Sequence, residues 1–258
     1  MSLAAQIFDL TGQVALVTGA SSGLGWRFAQ VLAGQGASVM LAARRTGQLE
    51  ALKAQIEVDG GAAHCVALDV ADRGAITAAF DEAEAVFGPV TIQVNNAGMA
   101  VEKMALETSE QDWRSIMDVN LDAVWWCSQE AAKRMIAAQV PGCIINTSSI
   151  LANNAMPTLA AYSVTKAGVS QMTRSMAVEF ARHKIRVNAI APGYIITEIN
   201  EAALSSPQGD ILKKSIPQRQ FGTPDDLDGA LMLLASERAG RFMTGEVVVV
   251  DGGHSVSI

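Results

Sequence analysis

Three side chains in this sequence have the types and spacing that proton transfer needs: Ser149, Tyr162 and Lys166. Tyr162 and Lys166 stand four residues apart. On a helix that spacing puts both on one face, about one turn from each other. A free phenol titrates near pH ~10, too high for a proton shuttle at neutral pH. A neighbouring ammonium favours the phenolate, so Lys166 is expected to lower the Tyr162 value. Ser149 could bond an oxygen that gains charge in a transition state. Together the three could protonate a carbonyl or deprotonate an alcohol. The same Tyr-x-x-x-Lys spacing also occurs where a solvated lysine lays its stem along a ring. What the rest of the chain carries decides between the two.

The first chemistry-bearing stretch lies near the start. Val14 to Thr18 is a short apolar run that reads as a strand, and Gly19-Ala20-Ser21-Ser22-Gly23-Leu24-Gly25 follows before a helical pattern. Strand, glycine-rich turn and helix together present a helix N-terminus to a phosphate. The second strand, Ser38 to Ala43, ends in Arg44-Arg45. A dinucleotide site for an unphosphorylated ribose usually places Asp or Glu at this strand end, whereas an arginine suits a 2′-phosphate. Ala43 offers no carboxylate and Arg44 follows it, so NADP(H) is favoured, with NAD(H) the alternative. The plainer reading of Arg44 and Arg45 is a solvated strand end.

The elements that must position these groups alternate along the chain. Helical patterns run over Thr46 to Val58 and Ala71 to Phe87; strands are expected at His64 to Leu68, Ile92 to Val94, Gly142 to Thr147, Ile185 to Ile190 and Glu246 to Asp251. Ser109, with Asp112 three residues on, caps a helix that carries Asn120, Trp125 and Trp126. Thr223-Pro224 opens another. Alternating strands and helices predict an α/β fold, a doubly wound parallel sheet of about seven strands with helices on both faces. No linker divides the 258 residues, so one domain over 1–258 is expected. Residues 199–222 mix helix signals with Ser205-Ser206-Pro207 and read as a mobile lid.

Composition agrees and excludes other classes. Half of the residues are hydrophobic and only 5% aromatic, so small aliphatics must fill a sheet buried on both faces. The net charge of −7, with no basic block, disfavours nucleic acid and anionic membrane as partners. Cys65, Cys127 and Cys143 show no metal or disulfide spacing, and His64, His183 and His254 are scattered, so no metal site is expected. Met1 to Leu10 contains Asp9 and no apolar signal-peptide run, and no stretch has the length of a membrane span. A cytoplasmic location is expected.

The motifs in combination resemble the short-chain dehydrogenase/reductase family over nearly the whole chain. Thr18-Gly19-x-x-x-Gly23-x-Gly25, Asp69, Asn95-Asn96-Ala97-Gly98, Asn120, Ser149, Tyr162-x-x-x-Lys166, Pro192-Gly193 and Thr197 occur in that family's order and at its spacing. The resemblance implies a Rossmann fold and a ketone or secondary-alcohol oxidoreductase of the 3-oxoacyl-carrier or ketone reductase kind, with Asn120, Ser149, Tyr162 and Lys166 catalytic. It implies coenzyme contacts at Gly19, Ser21, Ser22, Gly23, Leu24, Gly25 and Arg44, with Asp69 and Val70 beside the adenine. Asn95, Ala97 and Gly98 would line the nicotinamide-side ribose, and Lys166 and Tyr162 would reach it. Pro192, Gly193, Ile195 and Thr197 would hold the carboxamide, and Asn120 a water that relays protons to Lys166. A homotetramer or homodimer is implied, with Trp125 and Trp126 on the helix that packs between subunits.

The chain departs from the family in three places: Ala152 after the serine, the bulky Trp26 after Gly25, and Ser22 where many NADP-preferring members are basic. The coenzyme expectation therefore rests on Ala43 and Arg44. An NAD-dependent alcohol or hydroxysteroid dehydrogenase is the alternative on the same scaffold, and a dinucleotide-sensing protein without turnover is the alternative of another class. Leu151, Asn153, Asn154, Met156, Met99 and Tyr194 are candidate pocket residues. Being mostly apolar with two amides, they point to a small neutral or apolar carbonyl substrate.

Overall fold

The computed structural model describes residues 3–198 and 200–257. Met1, Ser2 and Ile258 at the ends of the expected domain, and Ile199 at the start of the expected lid, lie outside the described residues. In chain order the first half runs α1 (Leu3–Ile7), β1 (Val14–Thr18), α2 (Gly23–Gly34), β2 (Ser38–Ala43), α3 (Thr46–Val58), β3 (Ala62–Ala67), α4 (Arg73–Phe87), β4 (Ile92–Asn95) and α5 (Glu110–Met117). The second half runs α6 (Ala123–Ala138), β5 (Gly142–Thr147), α7 (Ala160–Phe180), β6 (Ile185–Pro192), α8 (Glu201–Leu204), α9 (Pro207–Ser215), α10 (Asp228–Ala235), α11 (Glu237–Gly240) and β7 (Val247–Val250).

The seven strands form one sheet in the order β3-β2-β1-β4-β5-β6-β7, every neighbouring pair parallel. Parallel strands need crossovers, and the helices that supply them bury both faces. Along β1 the side chains alternate between two cores. Ala15 and Val17 pack with Phe28, Leu32 and Leu52, whereas Val14 and Leu16 pack with Ile76, Phe80 and Met135. Each large apolar side chain so buried contributes about 1.5–3 kcal/mol. The chain leaves β1 toward β2 and β3, then returns to the other side of β1 as β4. At that reversal a crevice opens at the carboxyl ends of β1 and β4, where open α/β sheets bind ligands.

Most element boundaries fall where the sequence puts them, and the exceptions have local causes. β3 begins at Ala62 rather than His64, because Ser38 and Val39 pair with Ala62 and Ala63. β6 runs on to Pro192, since Ala191 and Pro192 pair with Val249 and Val250 of β7. α4 starts at Arg73, not Ala71: the Asp72 Oδ1 accepts the N–H groups of Gly74 (2.8 Å) and Ala75 (3.2 Å) and caps it there. The Ser109–Asp112 capping box forms as its spacing predicts, and Thr223 with Asp226 forms another. The helix expected to carry Asn120 without interruption is instead broken by a π-helical turn, Asp118–Asp122, between α5 and α6. Such turns gather at functional sites. No helix among the described residues is long and apolar enough to cross a membrane.

Candidate active site

Ser149, Tyr162 and Lys166 come together at the carboxyl end of β5. Thr147 closes that strand, and Ser149 follows in extended conformation, its Oγ accepting the Leu151 N–H at 3.1 Å to start a short 3-10 turn. The Ser148 hydroxyl donates to the Lys166 carbonyl at 3.2 Å and shares a 2.7 Å hydrogen bond with Ser170, which ties β5 to α7. Lys166 is 4% exposed, and its Nζ donates to the Thr147 carbonyl at 2.7 Å. The same Nζ lies 5.6 Å from the centre of the Tyr162 ring.

The electrostatics correct one expectation. Burial pushes the Tyr162 phenol above its ordinary value, and a hydrogen bond with Ser149 opposes that rise. The lowering expected from Lys166 does not prevail, because Lys166 is itself buried and spends a proton on the Thr147 carbonyl. Burial lowers Lys166 to about 8. At neutral pH the phenol is therefore protonated, in the form that gives a proton to a developing alkoxide.

Asn120 joins this group from the π turn. Its Oδ1 accepts the Met99 N–H and its Nδ2 donates to the Met99 carbonyl, both at 2.8 Å, and Nδ2 approaches Thr165 Oγ1 at 3.4 Å. The side chain thus ties the π turn to the backbone of Met99. Gly98 sits against the pair: a Cβ there would lie 3.5 Å from Asn120 Oδ1 and 3.8 Å from Lys166 Nζ. An alanine there would make ordinary van der Waals contact with both groups.

The β1–β4 crevice is built by side chains that bond across it. Thr18 Oγ1 accepts the N–H groups of Asn96 (3.0 Å) and Ala97 (3.1 Å), and Asn96 Nδ2 donates to the Thr18 carbonyl at 3.1 Å. Gly19 has φ +69°, and a Cβ there would lie 2.8 Å from the Ala97 Cα, so the glycine turn passes too close for any side chain. Ser22, the residue before α2, makes no side-chain cap bond. The leading N–H groups of that helix are left to whatever lies at its mouth, which suits a pyrophosphate. Thr197 lies over Gly23, its Cγ2 3.4 Å from where a Cβ would be. Pro192 and Gly193 lie at the end of β6, beside Val250. Leu24, in the first turn of α2, packs against the core, and Ile195 is buried.

Two expected coenzyme contacts differ in exposure. Asn95 is 3% exposed, and its Nδ2 donates to Ser128 Oγ (2.9 Å) and Asn146 Oδ1 (2.8 Å) while its Oδ1 accepts from Gln93. Its side chain links β4 to β5 and α6. Arg44 is exposed and makes no hydrogen bond or ion pair among the described residues. Arg45 holds the glycine turn instead, its Nη2 donating to Ser22 Oγ at 2.6 Å and Ser21 Oγ at 3.0 Å, with Nε on Ser21 at 3.2 Å. The sequence names Arg45 only as part of a pair, and because both arginines lie past the end of β2 at Ala43, no periodicity separates them. Asp69 is exposed at the end of β3, its Oδ1 accepting the Ala71 N–H, and Val70 turns into the core beside α4. The uncapped α2 mouth, the tight glycine turn and the arginine over it fit a dinucleotide with an extra phosphate.

On the open side, the Tyr194 hydroxyl donates to Met156 Sδ at 3.4 Å. The Tyr194 ring meets those of His254 and Phe221 edge-on, with centroids 5.4 Å and 6.4 Å away. Asn153, Asn154 and Met156 are exposed, and Leu151 is half-buried. Trp126 packs against the core with the Arg73 guanidinium 4.1 Å over its ring, whereas Trp125 is 41% exposed.

Comparison with known proteins agrees with this arrangement. The family described as enoyl-(acyl carrier protein) reductase matches residues 19–255. The gluconate 5-dehydrogenase of Gluconobacter oxydans (strain 621H) is 37% identical over 253 residues, 98% of each chain. The D-threitol dehydrogenase of Mycolicibacterium smegmatis is 39% identical over 249 residues, 96% of this chain and 95% of its own. A crystal structure of a gluconate 5-dehydrogenase from Burkholderia cenocepacia J2315, in complex with NADP and tartrate, superposes with a TM-score of 0.94 at 37% identity, covering 99% of this chain and 100% of that one. With those likenesses spanning the sheet, the glycine turn and the Ser149–Tyr162–Lys166 group, the chain belongs to the short-chain dehydrogenase/reductase family of oxidoreductases.

Proposed function

We propose that the protein is an NADP(H)-dependent oxidoreductase that interconverts a ketone and a secondary alcohol, with Tyr162 as general acid and base. The observation that carries this is the convergence of Ser149, Tyr162 and Lys166 on the carboxyl end of β5, beside the β1–β4 crevice. Gly19, the α2 mouth and Arg45 would hold the coenzyme phosphates, and Lys166 and Thr197 would lie toward the nicotinamide end. Bound NADP(H) supplies or accepts the hydride.

The chain's own residues handle the oxygen. The Ser149 hydroxyl bonds the carbonyl oxygen and fixes its position. Tyr162 donates its phenolic proton to that oxygen as charge develops there. In the reverse direction the phenolate takes the alcohol proton, and charged Lys166 favours that anion. NADP(H) rather than NAD(H) follows from Arg45 over the turn and the lack of a carboxylate at the end of β2. The relatives named for gluconate and D-threitol favour a hydroxylated substrate over the plain apolar carbonyl read from the pocket residues. We extend the proposal to a cytoplasmic homotetramer or homodimer, since Trp113 and Trp125 are 38% and 41% exposed on α5 and α6.

A panel of ketones with NADPH and NADH tests the reading by absorbance. Consumption of NADPH, faster than of NADH, is expected. Preference for NADH would move the protein to the NAD-dependent alternative. Tight NADPH binding with no turnover of any ketone or alcohol would favour a sensor.

A further inference from the structure

The Tyr194 hydroxyl has an unusual partner. A phenol O–H is a good donor, and among the described residues it has only the Met156 thioether, a weak acceptor, at 3.4 Å. The two residues belong to segments that follow the adjacent strands β5 and β6, on the sheet edge where Ser149 also lies. Met156 belongs to the loop that links β5 to α7, between Ser149 and Tyr162. Tyr194 belongs to the turn that follows β6.

The donor is held firmly and the acceptor is not. The Tyr194 carbonyl accepts the Gly222 N–H at 2.9 Å, and the preceding Gly193 N–H donates to the Val250 carbonyl at 2.9 Å. His254 and Phe221 brace the ring edge-on. Met156 is 37% exposed and has the flexible, unbranched side chain that repacks at little cost. Burial raises the Tyr194 value, so the hydroxyl stays a donor at neutral pH.

We propose that Tyr194 is a specificity-determining residue: its hydroxyl bonds a second oxygen of the substrate, beside the reacting carbonyl carbon, in place of Met156 Sδ, so that hydroxylated ketones are selected over plain ones. This rests on the carbonyl-reduction reading and names the substrate class for it. Exchange of a thioether for an oxygen acceptor strengthens the bond, and a ketone without that oxygen leaves the donor with its poor partner.

The test compares butan-2-one with 3-hydroxybutan-2-one as substrates, with NADPH, for wild type, Tyr194→Phe and Met156→Leu. The hydroxyl group also activates a ketone electronically, so the quantity read is the change, between proteins, in the ratio of the two kcat/KM values. Tyr194→Phe is expected to lower the ratio in favour of the hydroxyketone about tenfold, the loss of one hydrogen bond, mostly through KM. Met156→Leu keeps bulk and removes sulfur, and the wild-type ratio is expected to persist in it. An unchanged ratio in Tyr194→Phe overturns the proposal, and so does an equal fall in Met156→Leu, which would make the contact one of packing alone. Turnover of other ketones in the panel with none of 3-hydroxybutan-2-one overturns this proposal alone, whereas turnover of no ketone or alcohol at saturating NADPH overturns the carbonyl reading and this proposal with it.

Discussion

Replacing Arg45 by alanine should weaken NADPH and leave NADH nearly untouched. In the free protein the guanidinium bonds Ser21 and Ser22 over 2.6–3.2 Å, so it is already held above the glycine turn. A 2′-phosphate would exchange those neutral bonds for charge-assisted ones, worth roughly 1.5–3 kcal/mol. The serine bonds given up subtract about 1 kcal/mol, and solvent exposure screens part of the rest. The net is about 1–2 kcal/mol, or roughly five- to thirtyfold in Kd. Arg44→Ala, the change the sequence alone singles out, should cost no more, because Arg44 has no tether and loses more freedom on engaging a phosphate. Fluorescence titration of both coenzymes against the three proteins, at low and high salt, measures this. Wild-type NADPH affinity in Arg45→Ala, or an equal weakening of NADH, would rule out a 2′-phosphate contact at Arg45.

The remaining predictions concern the lid and the buried lysine. The 200–222 segment carries only the short helices α8 and α9, so its amides should exchange hydrogen well before those of Val14–Thr18; equal protection would count against a lid. Lys166 falls from 10.5 to about 8 in the folded chain, so between those values the unfolded chain binds a proton that the folded one does not. Stability of the coenzyme-free protein should therefore rise above pH 8, by about 1 kcal/mol per unit at most. Above pH 9 the buried thiols reverse the trend, since burial raises Cys65 to about 11 and Cys127 to about 12. Urea unfolding between pH 7.5 and 9 should show the rise in wild type and a flatter profile in Lys166→Met; parallel profiles would mean that another group titrates.

What the sequence made legible was local. Periodicity and glycine placement located the strands that matter, because a strand buried on both faces must be apolar throughout and the turn at Gly19 passes too close to the Ala97 backbone for a side chain. The Tyr162–Lys166 pair was legible because one helix carries both. What depended on facing was missed. Gln93 and Asn95 share a face of β4, so the network of Asn95 with Ser128 and Asn146 lies in the helix layer. Two adjacent arginines look alike in a sequence, yet only Arg45 reaches the serines. The rise at Tyr162 comes from burial, which spacing does not report. The π turn at Asn120 leaves no composition signal.

If Tyr162 moves the proton, its hydroxyl is needed for turnover and not for coenzyme binding. Tyr162→Phe removes one oxygen and keeps the ring, and the glycine turn, Arg45 and Lys166 are untouched. NADPH affinity by fluorescence titration and kcat on the same accepted ketone should separate cleanly. The expected result is a Kd within about twofold of wild type, with kcat lower by the ~10²–10⁴-fold of general acid–base catalysis. Full activity in Tyr162→Phe would contradict it and send the proton to another group.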